Sequence, residues 1–211
     1  MQMKKHKHLL QICGETVISH TVRAFVESGL VDSIIVVTAS EDMESVGNEL
    51  MAFNRPIRLV TGGATRAESA AIGFAAIDDD VSHVAIHDAA RCLVTPEIID
   101  SVIGAAIENG AATAGTRVHD TVKRIDGDTI TDTVCRDNLY LAHTPQAFSR
   151  EVYATALARA TSLDGITDDN ALIEGIGGRI IALDTGSSNI KITTREDLDY
   201  AEFVLKKRRG L

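Results

Sequence analysis

Cysteine is scarce in this chain: Cys13, Cys92 and Cys135 are the only three in 211 residues. The number is odd and no two are spaced as CxxC, which argues against a disulfide framework or a structural zinc site. They read as small buried hydrophobes. Long apolar runs are missing as well. Nothing approaches the roughly 18 apolar residues of a membrane span. The basic start, Lys4-Lys5-His6-Lys7, has no apolar region of useful length behind it and so does not read as a secretory signal. A cytoplasmic protein with no membrane partner is expected. There is no surplus of positive charge: the formal net charge is −9, which disfavours nucleic acid as a partner. A phosphorylated small molecule stays open, because it needs only a local cluster of Lys, Arg and backbone N–H groups. The seven histidines lack triad spacing, against a covalent hydrolase. There is no Pro-rich linker, low-complexity tract or internal repeat.

What is present is a chain with 45% apolar and 24% charged residues, ordinary for a globular protein with a sizeable core. Short β-branched runs at 33–38, 58–61, 83–87, 112–118 and 179–183 read as buried strands. Helical patterns lie between them at 16–28, 41–51, 66–77, 96–108, 150–160 and 195–207. Thr16 is a candidate N-cap, Pro96 suits a first helical turn, and Thr194 with Asp197 resembles a capping box. Lys206-Lys207-Arg208-Arg209 reads as the solvated end of the last helix. Strand alternating with helix predicts an α/β fold, a mostly parallel sheet covered on both faces. Residues 120–133 break the rhythm: two polar β-rich runs flank Asp126-Gly127, a hairpin signal. They predict an arm leaving the main sheet, either a decorative edge or a contact to a second subunit.

Four constellations carry chemistry. Gly62-Gly63-Ala64-Thr65-Arg66 follows a strand and opens a helix, and Ser69 lies one turn on. Glycines let the backbone pass close to a ligand, the helix N-terminus offers unpaired N–H groups, and Arg66 offers a fork for oxygens. A Gly-Gly turn alone serves packing equally well. His87-Asp88-Ala89-Ala90-Arg91 sits at the C-terminal end of a strand, the ligand edge of open α/β sheets. Asp88 there could hold a divalent cation such as Mg²⁺, or Asp88 and Arg91 could be a structural salt bridge. The arm and its continuation supply Asp120-Thr121-Val122-Lys123-Arg124, Cys135-Arg136-Asp137 and His143-Thr144-Pro145-Gln146. Finally, Ser188-Asn189-Ile190-Lys191-Ile192-Thr193 precedes the last helix, with Lys191 either an edge-strand solvent residue or a phosphate partner.

Together these blocks resemble the 2-C-methyl-D-erythritol 4-phosphate cytidylyltransferase family of isoprenoid biosynthesis. The resemblance spans nearly the whole chain: residues 62–69, 87–91, 120–124, 144–146, 166–169 and 189–193 match in order. It implies a single Rossmann-like nucleotidyltransferase domain over 1–211, with the arm at 120–136. It implies cytidylyl transfer from CTP to a sugar-alcohol phosphate, with Mg²⁺, in a homodimer joined through the arm. Carried over by position, Gly62, Gly63, Arg66 and Ser69 would contact the CTP base and ribose. Asp88 would face the ribose and lie near a metal-bound phosphate, and Ala89 would line the nucleotide site. Arg91 would hold the acceptor phosphate, and Thr121 and Arg136 would reach a neighbouring subunit's acceptor. Lys191 with Arg136 would position the acceptor for attack, and Lys7 would stabilise the transition state. Relatives begin with an apolar strand and a Gly-rich phosphate loop ending in Met; Met1 aligns with that Met, so both are expected to be missing before residue 1. Cys92 stands where relatives have Pro, and Ala64 where an acidic residue can stand. Alternatives are a ribitol-5-phosphate cytidylyltransferase, disfavoured by the Ala89-Ala90 pair, and a catalytically inactive relative that binds nucleotide or a partner.

Overall fold

The computed structural model describes residues 6–210; Met1, Lys4 and Lys5, which entered the sequence reading, lie outside them. A short β1 (Gln11–Ile12) and β2 (Glu15–Thr16) lead into α1 (Val17–Glu27) and β3 (Ile34–Thr38). Then come α2 (Met43–Leu50), β4 (Ile57–Thr61), α3 (Arg66–Ala75), β5 (His83–Ile86), α4 (Pro96–Asn109) and β6 (Ala111–Arg117). The arm is β7 (Val122–Asp126) and β8 (Thr129–Val134). It is followed by β9 (Tyr140–Ser149), α5 (Arg150–Arg159), α6 (Asn170–Gly175), β10 (Ile181–Asp184) and α7 (Arg195–Arg208).

Local chemistry sets these boundaries. The hydroxyl of Thr16 accepts from the Ser19 amide at the start of α1, and Thr95 accepts from Ile98 ahead of Pro96 in α4. Gly110, at φ 87°, ends α4 in the left-handed conformation that glycine adopts without strain. Thr194 and Asp197 form the expected capping box. The basic end of α7 is more anchored than a solvated terminus: Arg208 donates to the Leu93 carbonyl and Arg209 pairs with Glu15 at 2.9 Å.

The principal sheet has the order β10-β6-β9-β5, and β3 pairs with β4 in parallel. In the four-stranded sheet β5, β6 and β10 run one way and β9 runs against them. The mostly parallel direction holds, but both of β9's pairings are antiparallel. This strand was absent from the sequence reading because Pro145 interrupts it. Proline donates no ladder hydrogen bond, and the register shifts opposite it, between Thr113 and Gly115. Helices cover both faces, as expected. Ala112 and Ala147 point into a cluster with Ile99, Val102 and Ala106 of α4, while their neighbours Ala111 and Phe148 point the other way, toward Tyr153 and Ile173. That alternation is the strand period of two. Among the described residues, no helix is long and apolar enough to cross a membrane.

The arm is a two-stranded sheet of its own. Its turn residue Gly127 has φ 54°, and Ile125 pairs across the strands with Ile130. Both isoleucines are about two-thirds exposed, at 65% and 63%. The cysteines are not uniformly buried: Cys92 is, Cys13 is partly so, and Cys135, at the arm's root, is exposed.

Candidate functional site

Three strand ends deliver the site. The turn after β4 carries Gly62 and Gly63, the turn after β5 carries His87, Asp88 and Arg91, and the extended segment after β10 carries Asn189 and Lys191. The last two are tied together: the Ile192 amide donates to the Ala90 carbonyl at 2.8 Å and Arg91 Nη1 to the Asn189 carbonyl at 2.8 Å. Lys191 is therefore not on an edge strand. Its ammonium is 2.9 Å from Asp88 Oδ2.

Asp88 is the hub. Arg66 Nε donates to its Oδ1 at 3.1 Å, and Arg91 Nε lies 3.5 Å from its Oδ2. Burial pushes the carboxyl upward, but Lys191 and Arg66 outweigh it and hold it at about 2. Arg66 reaches a second carboxylate, Asp169, at 2.6 Å. Three cations thus face two carboxylates, and one of them, Arg66, also borders a cleft of about 310 Å³ together with Gly62, Gly63, Ser69, Ala89 and Asp42.

His87 supports Asp88 from behind. Its Nε2 lies 3.2 Å from the Arg91 carbonyl, which can only accept, so that nitrogen carries the proton. Nδ1 then accepts from the Thr144 hydroxyl at 3.0 Å, and the same hydroxyl accepts from the Asp88 amide at 3.0 Å. Burial above all keeps this ring neutral, at about 4. Asn189 Nδ2 donates to the Thr144 carbonyl at 2.8 Å.

Two readings of the glycine turn are corrected. Its amides are already satisfied: those of Ala64 and Thr65 donate to Glu68 Oε2 at 2.6 and 3.1 Å, and that of Gly63 to Ser69 Oγ at 3.2 Å. Thr65 and Glu68 form a capping box that closes the N-terminus of α3. The glycines answer to these same neighbours. A Cβ on Gly62 would lie 2.7 Å from Ser69 Oγ, and one on Gly63 would lie 2.5 Å from Glu68 Cβ. The Arg66 fork, expected to be free for ligand oxygens, is engaged by Asp88 and Asp169.

Asp88 does not suit a resident Mg²⁺. Its two oxygens lie against three cations, whose charge opposes a dication there although a remaining lone pair can still accept from a hydroxyl, and among the described residues no group of three His, Cys, Asp or Glu could hold a metal. Thr121 and Arg136 stand away from this cluster, exposed on the arm, where Arg136 donates to the His119 carbonyl. Lys7 lies in a 3₁₀ turn, Lys7–Leu9, whose next residue, His8, borders the cleft with Asp42. Sequence reasoning assigned no role to Thr144 or Asp169, although both fall in matched blocks, and did not single out Tyr153. Asp169 lies 103 residues from Arg66, and no spacing rule joins positions so far apart.

An α/β sheet with a glycine turn, a cationic cluster and a cleft at its C-terminal edge defines a protein built to receive phosphorylated ligands. The family described as IspD, 2-C-methyl-D-erythritol 4-phosphate cytidylyltransferase, matches residues 1–207. A 2-C-methyl-D-erythritol 4-phosphate cytidylyltransferase of Synechococcus sp. (strain WH7803) is 39% identical over 99% of this chain and 94% of its own length. One from Bacillus velezensis is 37% identical over 100% and 92%. The crystal structure of 4-diphosphocytidyl-2C-methyl-D-erythritol synthase from Anaerococcus prevotii superposes with a TM-score of 0.85 at 31% identity, covering 93% of this chain and 88% of that one. The chain belongs to the IspD family.

Proposed function

We propose that this protein transfers a cytidylyl group from CTP to 2-C-methyl-D-erythritol 4-phosphate, releasing pyrophosphate. A phosphate oxygen of the acceptor bonds to the α-phosphorus of CTP while the bond to the bridging oxygen of the leaving pyrophosphate breaks. Two polyanions must meet, so the protein's contribution is positioning and positive charge rather than a nucleophile. The observation that carries this reading is the Asp88 hub, with Arg66, Arg91 and Lys191 gathered around one carboxylate and Arg66 also bordering the glycine-turn cleft.

In this reading the cleft takes the nucleoside, with Gly62, Gly63, Ser69 and Ala89 along its wall, and Asp88 accepts from the ribose. Lys191 and Arg91 face the reacting phosphates, and Lys7 approaches from its turn. Mg²⁺ would enter with the triphosphate and offset part of its charge. The arm completes the site of a second protomer: the exposed Ile125 and Ile130 pair seats it in a homodimer, bringing Thr121 and Arg136 to the neighbour's acceptor. A cytoplasmic setting suits these soluble substrates.

The test is pyrophosphate release from CTP and Mg²⁺ with 2-C-methyl-D-erythritol 4-phosphate or ribitol 5-phosphate. Release with the first acceptor alone is expected. Release with ribitol 5-phosphate alone would overturn the acceptor assignment. CTP binding in calorimetry without release would leave an inactive relative.

A further inference from the structure

Asp169 is fully enclosed, at 0% exposure. A buried carboxylate is costly unless it is paired and hydrogen-bonded, and each of its oxygens has a partner. Tyr153 donates to Oδ1 at 2.6 Å and Arg66 Nη1 to Oδ2 at 2.6 Å. Its backbone is fixed too, because its amide donates to Oε1 of buried Gln146 on β9 at 2.8 Å. Tyr153 cannot drift: its ring lies 5.3 Å from Phe148, stacked, and 5.0 Å from Phe74, edge on. A rigid aromatic box thus holds a hydroxyl, the hydroxyl and Gln146 hold Asp169, and Asp169 holds one arm of the Arg66 fork.

The fork is planar, so fixing Nη1 also fixes the direction of Nε. Nε reaches Asp88 Oδ1 at 3.1 Å and leaves Oδ2 to Lys191 at 2.9 Å and, at 3.5 Å, to Arg91 Nε. Without the second carboxylate, Arg66 would be free to turn both of its donors onto Asp88, the bidentate arrangement arginine favours. It would then compete with Lys191 for Oδ2. We propose that Asp169, braced by Tyr153, is a positioning residue: it keeps Arg66 on one oxygen of Asp88 and so sets where the Lys191 ammonium stands. The inference rests on the cytidylyl-transfer reading of the Asp88 hub, and it adds to that reading two residues that touch neither substrate.

The test combines kinetics with arginine side-chain NMR on the full chain. Asp169→Asn should lower kcat for pyrophosphate release about 10- to 100-fold, the scale expected of a misplaced charged group, while KM for CTP moves less than about 3-fold. Made on top of Arg66→Lys, the same substitution should cost less than about 2-fold more, because its effect runs through the fork. Unchanged kcat in Asp169→Asn, or a full further loss in the Arg66→Lys background, would overturn the proposal. If Asp169→Asn melts too early to assay, Tyr153→Phe carries the test, with a loss of about 3- to 10-fold that also disappears beside Arg66→Lys. The Nε–H signal of Arg66, identified by its loss in Arg66→Lys, should move in chemical shift in Asp169→Asn as the fork turns onto Asp88. An unmoved signal would sink the idea. Should the wild type release no pyrophosphate, the functional reading fails and the NMR comparison alone decides the positioning role.

Discussion

The Asp88 hub and the hairpin arm are both rich in charge, yet they differ in what completes them. At the hub each carboxylate has a cationic partner within the same protomer, and the supporting histidine and threonine are hydrogen-bonded in turn. On the arm, Lys123 reaches only Thr133 across the strands, and the apolar pair Ile125 and Ile130 faces outward. A two-stranded hairpin is marginally stable by itself. The hub is therefore organised by the fold before any ligand arrives, whereas the arm presents apolar surface that gains stability only from something packed against it.

The comparison breaks most visibly at Lys191. Lys191→Ala should reduce pyrophosphate release at least about 100-fold with an unchanged circular dichroism spectrum, since the side chain is 44% exposed and Asp88 keeps two other cations. Activity within about 3-fold of wild type would make the hub a structural feature. In denaturant titrations, Phe148→Ala, in the core against Tyr153, should cost about 3–5 kcal/mol, while Ile125→Ser on the arm should cost a single protomer under about 0.5 kcal/mol. Equal losses would mean that the arm belongs to the core.

Acid should find the hub before the arm. His87 is held neutral, from an ordinary 6.5 down to about 4. The unfolded chain therefore takes up a proton that the folded one refuses, and stability present above pH 6.5 is lost as pH falls toward about 4. The loss is about 2 kcal/mol, less than the shift converts to at 1.36 kcal/mol per unit, because the residue keeps some exposure. Melting temperatures across that range should flatten in His87→Gln. The arm is sharpened by Ile125→Asp combined with Ile130→Asp: sedimentation should reveal self-association weakened at least about 10-fold with the protomer's melting unchanged. A dimer of undiminished affinity would remove the arm from the interface. Smallest of all, Thr194→Ala should cost about 1 kcal/mol through the lost cap of α7, with no effect on either region.

The sequence by itself determined the periodic elements and their punctuation. β-branched runs gave β3 to β6, Thr16, Pro96 and Thr194 marked helix starts, and Asp126-Gly127 announced the arm, because these signals are local and act within a few residues. Six short blocks in order were also enough to carry the family resemblance. What only the tertiary structure decided is how charges find partners. Gly62 and Gly63 make room for Ser69 and Glu68 as well as bordering a cleft. Arg66 turns inward to Asp169, Lys191 crosses from the segment after β10 to Asp88, and β9 runs through the sheet despite Pro145. These outcomes depend on which strand ends lie side by side, and on a buried charge being stable only where an opposite charge already waits. Both are properties of the packed sheet rather than of any segment.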